Sequence, residues 1–457
     1  MNVEDILDVT KGKLIIGNIE EECENFCTDT RKIQANDVYI GLKGENFNGN
    51  EYYEEALNKG AKVAIISGIE VKNPKMFQDK TIIEVEDSLI AFGQIAAYKR
   101  SLYNIPVVQI TGSVGKTSTR DIIGNVVSTE YKTLKTEGNM NNAIGLPTTV
   151  LKLKDHEALV VESGMNHFGE IRYLGEIAKP TIAVITNVGT AHIGLLGSRE
   201  NILKAKLEIL ESLQPGGIVV INNDNDLLHE WANEDKEYKK YTFGIDNKSD
   251  VMAYDINIYK DYSTYKVKIN KKEYNVTVPV SGKHFVYNSL CAIAIGNLLN
   301  ISPENIIKGI KEFELTKRRM EVDKIKNNIT IINDSYNASY DSMVAAIDYL
   351  KEIDGKRKIA ILGDMFELGD FAEELHRKVG AYVAKKDIDL LITVGENSKF
   401  IAKQAIENGM DSSKVIELVS NEDAIKYLKN NMKSEDVLLL KAANGMKFIE
   451  IYNELKN

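Results

Sequence analysis

Cysteine is scarce in this chain, and that scarcity excludes a class of folds. Only Cys23, Cys27 and Cys291 occur in 457 residues, too few and of the wrong parity for a disulfide framework. Cys23 and Cys27 have the spacing of half a metal site, but no second ligand pair follows nearby, so they read as incidental thiols. Long apolar runs are missing too. No stretch approaches the roughly 18 apolar residues that a membrane helix needs. The opening MNVEDILDVTKGK is acidic early and has no long apolar core, so it does not read as a signal peptide. Basic charge is not in excess: 57 Lys and Arg against 67 Asp and Glu leave a net charge of −10. That is the wrong sign for gripping a nucleic-acid backbone. A cytoplasmic protein with no nucleic-acid and no membrane partner is therefore expected.

What is present points to several α/β units. At roughly 150 residues per domain the length predicts about three domains, and no internal repeat or low-complexity segment interrupts them. Near the N-terminus, Asp37–Leu42 and Val63–Ile66 read as strands, and Tyr52–Lys59 between them has helical spacing with Gly60 as its stop. Ser88–Tyr103 is a long helical segment closed by Pro106. A second unit starts at Val107. Its apolar runs Val107–Ile110, Leu159–Val161, Ile182–Ile185 and Ile218–Ile221 alternate with helical patterns, which predicts a mostly parallel sheet covered on both faces. Asp250–Pro279 breaks that rhythm by alternating polar with β-branched or aromatic residues, the pattern of an antiparallel hairpin, and Gly282–Leu299 returns to helix. From Thr316 onward Ile329–Ile332, Ile359–Leu362, Leu390–Val394 and Val437–Leu440 suggest another doubly wound unit. The expected fold is thus α/β with three domains. A small mixed domain spans 1–104, a central phosphate-loop ATPase-like domain with a mostly parallel sheet spans 105–315, and a Rossmann-like domain spans 316–457.

The strongest chemical signal is Thr111-Gly112-Ser113-Val114-Gly115-Lys116-Thr117-Ser118, between a strand and a helix. Glycines let the backbone turn tightly so that several N–H groups converge on one phosphate. The helix N-terminus adds its positive dipole end. Lys116 would reach the outer phosphates, and Thr117 could hold Mg²⁺. Ile110 stands where the longest form of this signature has glycine, so the match is the shorter G-x-x-G-K-T. The alternative is a plain Gly–Lys turn before a surface helix.

Carboxylate and imidazole follow at the same sheet edge. Glu162 ends the strand Val160-Val161-Glu162, where ligands of open α/β sheets sit, and is placed to bind Mg²⁺. The competing view is a solvated strand-end Glu. His192, in Thr186-Asn187-Val188-Gly189-Thr190-Ala191-His192, could reach a second metal, although a lone loop histidine is more often incidental. From spacing alone Lys206 is one more surface lysine.

Nine ordered segments carry a family resemblance. They are DTRKIQANDVYIGLKGENFNGN, TGSVGKTSTRD, NMNNAIGLPTT, VVESGMNHFGEI, TNVGTAHIGLLGSRENILKAKLEI, SGKHFVYNSLCAIA, RRMEV, NDSYNASYDSM and LGDMFELGD. The chain resembles the Mur ligase family of bacterial cell-wall synthesis, and within it the dipeptide-adding branch, and the resemblance covers essentially the whole chain. The resemblance implies an ATP-dependent ligase in the cytoplasm that joins D-alanyl-D-alanine to UDP-N-acetylmuramoyl-tripeptide through an acyl phosphate. It implies that Asp29, Thr30 and Arg31 bind the uridine nucleotide and that Asn142 contacts substrate. Lys116, Thr117 and Glu162 match phosphate and Mg²⁺ positions, and His192 a ligand of a second Mg²⁺. Lys206 matches a lysine that the family carries as a carbamate, which would turn a cation into an oxygen ligand. Asn288 matches the residue beside adenine; Arg319 and Asp334 match groups contacting ATP phosphate and ribose. A monomer is expected.

The chain departs from the family pattern in a few places. Phe285 stands where Asn is frequent, so a stacking contact is expected there. Ala143 follows Asn142 where Glu is common, Ser339-Tyr340 replaces Asn-Pro, and Asn444 replaces an arginine. The last two lie in the domain expected to present the dipeptide, so a family ligase with another amine acceptor stays open. So does a nucleotide-binding regulator without catalysis, against which Lys116, Glu162, His192 and Lys206 argue. A plain phosphate-loop ATPase or kinase would leave the first and last units without a use.

Overall fold

Apolar β-branched runs bounded by small residues become the interiors of three sheets. The computed structural model describes residues 1–456. The three-domain α/β architecture expected from the sequence is the one observed. The first sheet has the strand order Lys13–Ile16, Thr81–Glu84, Val63–Ile66, Val38–Ile40, Phe26–Cys27, and only its first pair is antiparallel. The central sheet has nine strands. Its parallel heart runs Lys239–Gly244, Ile218–Asn222, Ile182–Ile185, Val107–Thr111, Ala158–Glu162, Thr133–Lys135. The third sheet runs Glu321–Ile325, Ile329–Asn333, Asp436–Lys441, Arg357–Gly363, Leu390–Val394, Val415–Leu418, parallel except at its first strand.

Strand pleating sorts the central residues between two cores. Val107, Leu159 and Val161 face one, together with Val38, Ile40 and Ile65 of the first sheet and Phe92 and Ile95 of the helix Ser88–Ser101. The next residues along, Val108, Ile110 and Val160, face the other core, which continues into Ile332, Met343 and Leu439 of the third unit. Both faces of the middle strands are therefore dry, as parallel strands require. No helix among the described residues is long and apolar enough to cross a membrane.

Where the sequence suggested a hairpin, the structure has a three-stranded meander. Val251–Ile258, Ser263–Ile269 and Lys272–Val278 pair antiparallel and extend the central sheet. The last two join through Asn270 and Lys271, whose φ angles of 50° and 67° fit a tight two-residue turn. The first strand lies parallel to Lys239–Gly244 at only two residue pairs, so the excursion stays attached to the sheet edge.

The helix that carries the phosphate loop, Lys116–Val127, is braced by the helices Lys283–Leu298 and Pro303–Lys311. The last of these approaches closely: a Cβ on Gly309 would lie 2.6 Å from the Val126 Cα. Gly309→Ala should push the two helices apart at a cost of about 1–3 kcal/mol. The melting temperature should fall by roughly 2–10 °C, which differential scanning fluorimetry would read.

Candidate active site

The phosphate loop joins the buried strand Val107–Thr111 to the helix Lys116–Val127. At the turn Gly115 has φ 81°, a left-handed conformation that a side chain would strain. Asn187, at the end of the neighbouring strand Ile182–Ile185, shapes the loop. Its Oδ1 accepts from the N–H groups of Ser113 (3.1 Å) and Val114 (2.9 Å), and its Nδ2 donates to Val114 O at 2.9 Å. The Thr186 hydroxyl also donates to Val114 O, and Ser113 Oγ accepts from Gly189 N–H. With these donors tied back, the first N–H groups of the helix remain as the open anion-facing set. Lys116 Nζ rests on Gly112 O at 2.8 Å, and burial lowers its pKa.

Beside the loop sits a buried carboxylate. Glu162 is only 1% exposed, so an unpartnered charge there would be costly. Three donors offset this: Thr117 Oγ1 at 2.9 Å, Asn141 Nδ2 at 2.7 Å and Arg120 Nη1 at 3.4 Å. Arg120 in turn forks onto Asp121, and Asp121 accepts from Thr316 Oγ1 at 2.9 Å, near the start of the third unit. The segment Lys116–Asp121 thus links phosphate loop, carboxylate and domain junction in one charge network.

These groups open into a cleft of about 1010 Å³ beyond the carboxyl ends of the central strands. Ser113, Gly115, Lys116, Thr117 and Ser118 form one wall, with Glu162 and Asn142 beside them. The third unit closes the cleft with Arg319 and Asp334. A smaller cleft of about 260 Å³ adjoins it across His192 and Tyr336–Ser339.

Comparison with known proteins agrees with this arrangement. Residues 110–296 match the Mur ligase middle domain, and residues 318–444 match a domain described as Mur ligase, glutamate ligase domain. The UDP-N-acetylmuramoyl-tripeptide–D-alanyl-D-alanine ligase of Bacillus subtilis is 37% identical, covering 99% of this chain and 98% of its own. The chain belongs to the Mur ligase family. Among solved structures, MurF from Acinetobacter baumannii superposes with a TM-score of 0.90 at 28% identity, over 100% of this chain and 98% of that one. MurF from Thermotoga maritima in complex with ADP gives 0.83 at 26% identity, covering 95% and 97%.

Within this Mur ligase fold, residues expected from sequence fall into three groups. Lys116, Thr117, Ser118, Asn142, Glu162, His192, Asn288, Arg319 and Asp334 all line the large cleft. Asn288 lies close behind the phosphate loop, where a Cβ on Gly115 would be 3.2 Å from its Oδ1. Arg319 stacks over the Tyr336 ring at 4.1 Å, and Asp334 accepts from the buried Lys441 Nζ at 2.5 Å. Asn142 Oδ1 accepts from the Ile144 and Gly145 N–H groups at 3.1 and 2.9 Å, where the helix Gly145–Val150 begins. Phe285 lies on the cleft wall with its ring tilted against Phe313, 6.0 Å between centroids.

A second group lies just off the cleft lining. Thr111 is buried as the last residue of its strand, and a Cβ on Gly112 would collide with Thr186 Oγ1. Lys206 is not a surface lysine. It sits on the helix Arg199–Leu207 at 1% exposure, and no hydrogen-bond acceptor or carboxylate among the described residues pairs with its Nζ. Burial, then the charge of nearby Lys116, drives its pKa well below the usual lysine range.

The third group is remote. Asp29, Thr30 and Arg31 lie at the end of the first sheet and line neither cleft. Arg31 forks onto Asp29 at 2.8 Å, and this pairing holds the Asp29 carboxyl down to about 2.

Two departures have local reasons. Ser339 caps the helix Tyr340–Glu352, and Asn444 Oδ1 accepts from Arg318 Nη2 at 2.7 Å.

Sequence reading missed Asn187, Asn141, Arg120 and Lys441. Asn187 had a usable signal, since it follows a parallel strand at the ligand-bearing edge. Ser113 N–H also reaches Asn187 O at 3.1 Å, so Asn187→Ala would leave the Val114 N–H without its partner, at about 1–3 kcal/mol. Binding of a non-hydrolysable ATP analogue should weaken at least about 10-fold by calorimetry, and the melting temperature should fall by roughly 2–10 °C.

Proposed function

We propose that this chain is an ATP-dependent ligase that joins D-alanyl-D-alanine to UDP-N-acetylmuramoyl-tripeptide, a step of peptidoglycan precursor synthesis. The observation that carries this reading is the single cleft in which Lys116, Thr117 and Glu162 of the central unit meet Arg319 and Asp334 of the third. The near full-length similarity to ligases of that name supports the choice of substrates.

The tripeptide's terminal carboxylate attacks the γ-phosphorus of ATP, giving an acyl phosphate and ADP. The dipeptide amine then adds to the acyl carbon, loses its proton, and phosphate leaves as the peptide bond forms. The protein's work is positioning and charge neutralisation. Lys116 offsets the repulsion between a polyphosphate and an incoming carboxylate, and Arg319 faces the same space from the other domain. Asn288 borders the adenine end and Asp334 the ribose. Asp29, Thr30 and Arg31 hold the uridine nucleotide in the first domain, where a forked Arg–Asp pair stands ready beside solvent.

Thr117 and Glu162 suit Mg²⁺, because hydroxyl and carboxylate are hard oxygen donors and lie 2.9 Å apart. No group of three or more His, Cys, Asp or Glu is gathered for a metal among the described residues, which fits an ion that takes its other ligands from phosphate and water. Two Mg²⁺ are expected, the second at His192 and Lys206. When bound, they neutralise charge on the phosphates. Lys206 as an amine offers no oxygen, but burial without an acidic partner favours its neutral form, and the neutral amine is the form that reacts with CO₂. A carbamate there supplies the missing donor.

An assay with ATP, Mg²⁺, UDP-N-acetylmuramoyl-tripeptide and a panel of amines tests the reading. Phosphate release should require both tripeptide and D-alanyl-D-alanine, and the product mass should be that of the pentapeptide nucleotide. Release with a different amine would replace the acceptor, and release without any acid would leave only an ATPase. Lys206→Ala should lose most activity and regain part of it with added short carboxylates. ¹³C-bicarbonate should give a carbamate resonance in the wild type that is absent from this variant. Full activity in Lys206→Ala would remove the carbamate.

A further inference from the structure

The turn that carries His192 is gripped from the other side of the domain junction. Gly189 lies so close to Asp341 that a Cβ would collide with its carboxylate. The next residue, Thr190, gives both its N–H (2.8 Å) and its hydroxyl (2.9 Å) to Asp341 Oδ2. His192 itself has φ 65°, a left-handed conformation that a non-glycine residue keeps only when its surroundings enforce it. Its Nδ1 lies 2.5 Å from Glu367 Oε2, an ion-pair contact in which the ring N–H is not aligned on the oxygen as a hydrogen bond. Two residues later the Gly194 N–H donates to Glu367 O at 3.0 Å. A side chain on Gly194 would collide with the backbone of Leu368 and Gly369.

Glu367 is held with equal care. Its own φ is 60°, again left-handed, in the loop that follows the strand Arg357–Gly363. On one side of it, Asp364 accepts the N–H groups of Glu396, Asn397 and Ser398 at 2.7–3.2 Å. Beside Asp364, the Met365 N–H donates to the buried His376 Nε2 at 3.0 Å, and His376 Nδ1 is anchored on Ala372 O at 2.6 Å. That second contact places the His376 proton on Nδ1 and leaves Nε2 as the acceptor. The loop is therefore built to present one carboxylate, across a domain boundary, to one ring nitrogen.

A carboxylate on the Nδ1 side fixes an imidazole's tautomer and ring angle and leaves the Nε2 lone pair free. We infer that Glu367 is a positioning residue for His192: docking of the C-terminal domain sets the histidine, so that the second half of the ATP–metal site is completed only in the docked arrangement. His192 is the one residue that lines both clefts from this turn besides Ala191, which is where such coupling would matter for a phosphate on one side and an amine on the other. The inference rests on the ligase reading for its consequence, but its test does not require turnover.

The test is Mn²⁺ titration of the full chain with a non-hydrolysable ATP analogue, read by electron paramagnetic resonance. Glu367→Ala, Glu367→Gln and Gly194→Ala would be compared with the wild type, and small-angle scattering would follow domain docking. In the wild type two ions should bind. In Glu367→Ala the weaker ion should lose about 10-fold in affinity, while the stronger ion at Thr117 and Glu162 is unmoved. Gly194→Ala, which leaves Glu367 in place but blocks its approach, should reproduce that loss and widen the domain arrangement. Glu367→Gln, which keeps an oxygen acceptor, should fall between. Where turnover is measured, the half-saturating Mg²⁺ concentration should rise and the KM for the tripeptide nucleotide should stay unchanged. Unchanged affinity for both ions in Glu367→Ala would overturn the inference, as would a wild type that takes up a single ion. A wild type that binds both ions yet makes no pentapeptide would overturn the ligase reading and leave the positioning role standing.

Discussion

A carboxylate removed from water beside a phosphate loop is the constraint from which the rest of the site follows. Glu162 is tolerated at 1% exposure because Thr117, Asn141 and Arg120 reach it. Each of those donors does a second job. Thr117 lies in the first turn of the phosphate-loop helix, Asn141 belongs to the segment whose next residue accepts the Gly145 N–H, and Arg120 carries the charge on to Asp121. Asp121 then accepts from Thr316. Satisfying one buried charge therefore ties the loop, the turn at Asn141 and Asn142 and the start of the third unit into one network.

The loop beside it is shaped from outside. A glycine at position 115 permits the left-handed turn, but the path of the backbone before it is set by Asn187 from the adjacent strand. Side-chain amides suit that task, since one group both accepts from and donates to backbone. The result leaves the helix N-terminal donors and Lys116 as the positive side of the cleft, facing the negative Glu162. Opposite charges held this close attract more strongly where packing limits water, and the dry faces on both sides of the middle strands lower the local dielectric.

Three units meet at this place in unequal ways. The first shares a core with the central sheet through the helix Ser88–Ser101, yet its candidate nucleotide residues, Asp29 to Arg31, stand apart from the large cleft. A substrate that touches both must be long, as a nucleotide-linked peptide is. The third unit instead closes directly over the phosphate loop with Arg319 and Asp334 and grips the turn around His192.

Much of this was legible in the chain itself. Buried parallel strands announce themselves as short β-branched runs, and the G-x-x-G-K-T signature with Glu162 at the next strand end follows from strand polarity alone. Short or half-exposed strands such as Phe26–Cys27, Thr133–Lys135 and Val415–Leu418 escaped, because their periodicity is too brief to register. The third strand of the meander was folded into an expected hairpin for the same reason. Lys206 illustrates the divide: spacing makes it a surface lysine, whereas packing buries it without a partner. Sequence by itself determined the elements, the ligand-bearing edge and the phosphate loop, since these depend on local periodicity and on the direction of a strand. Only tertiary structure decided which amide shapes the loop, which cation meets Glu162 and which carboxylate meets His192. Those pairings join residues up to 175 positions apart in the chain (192 against 367), and no local pattern encodes a partner at that distance.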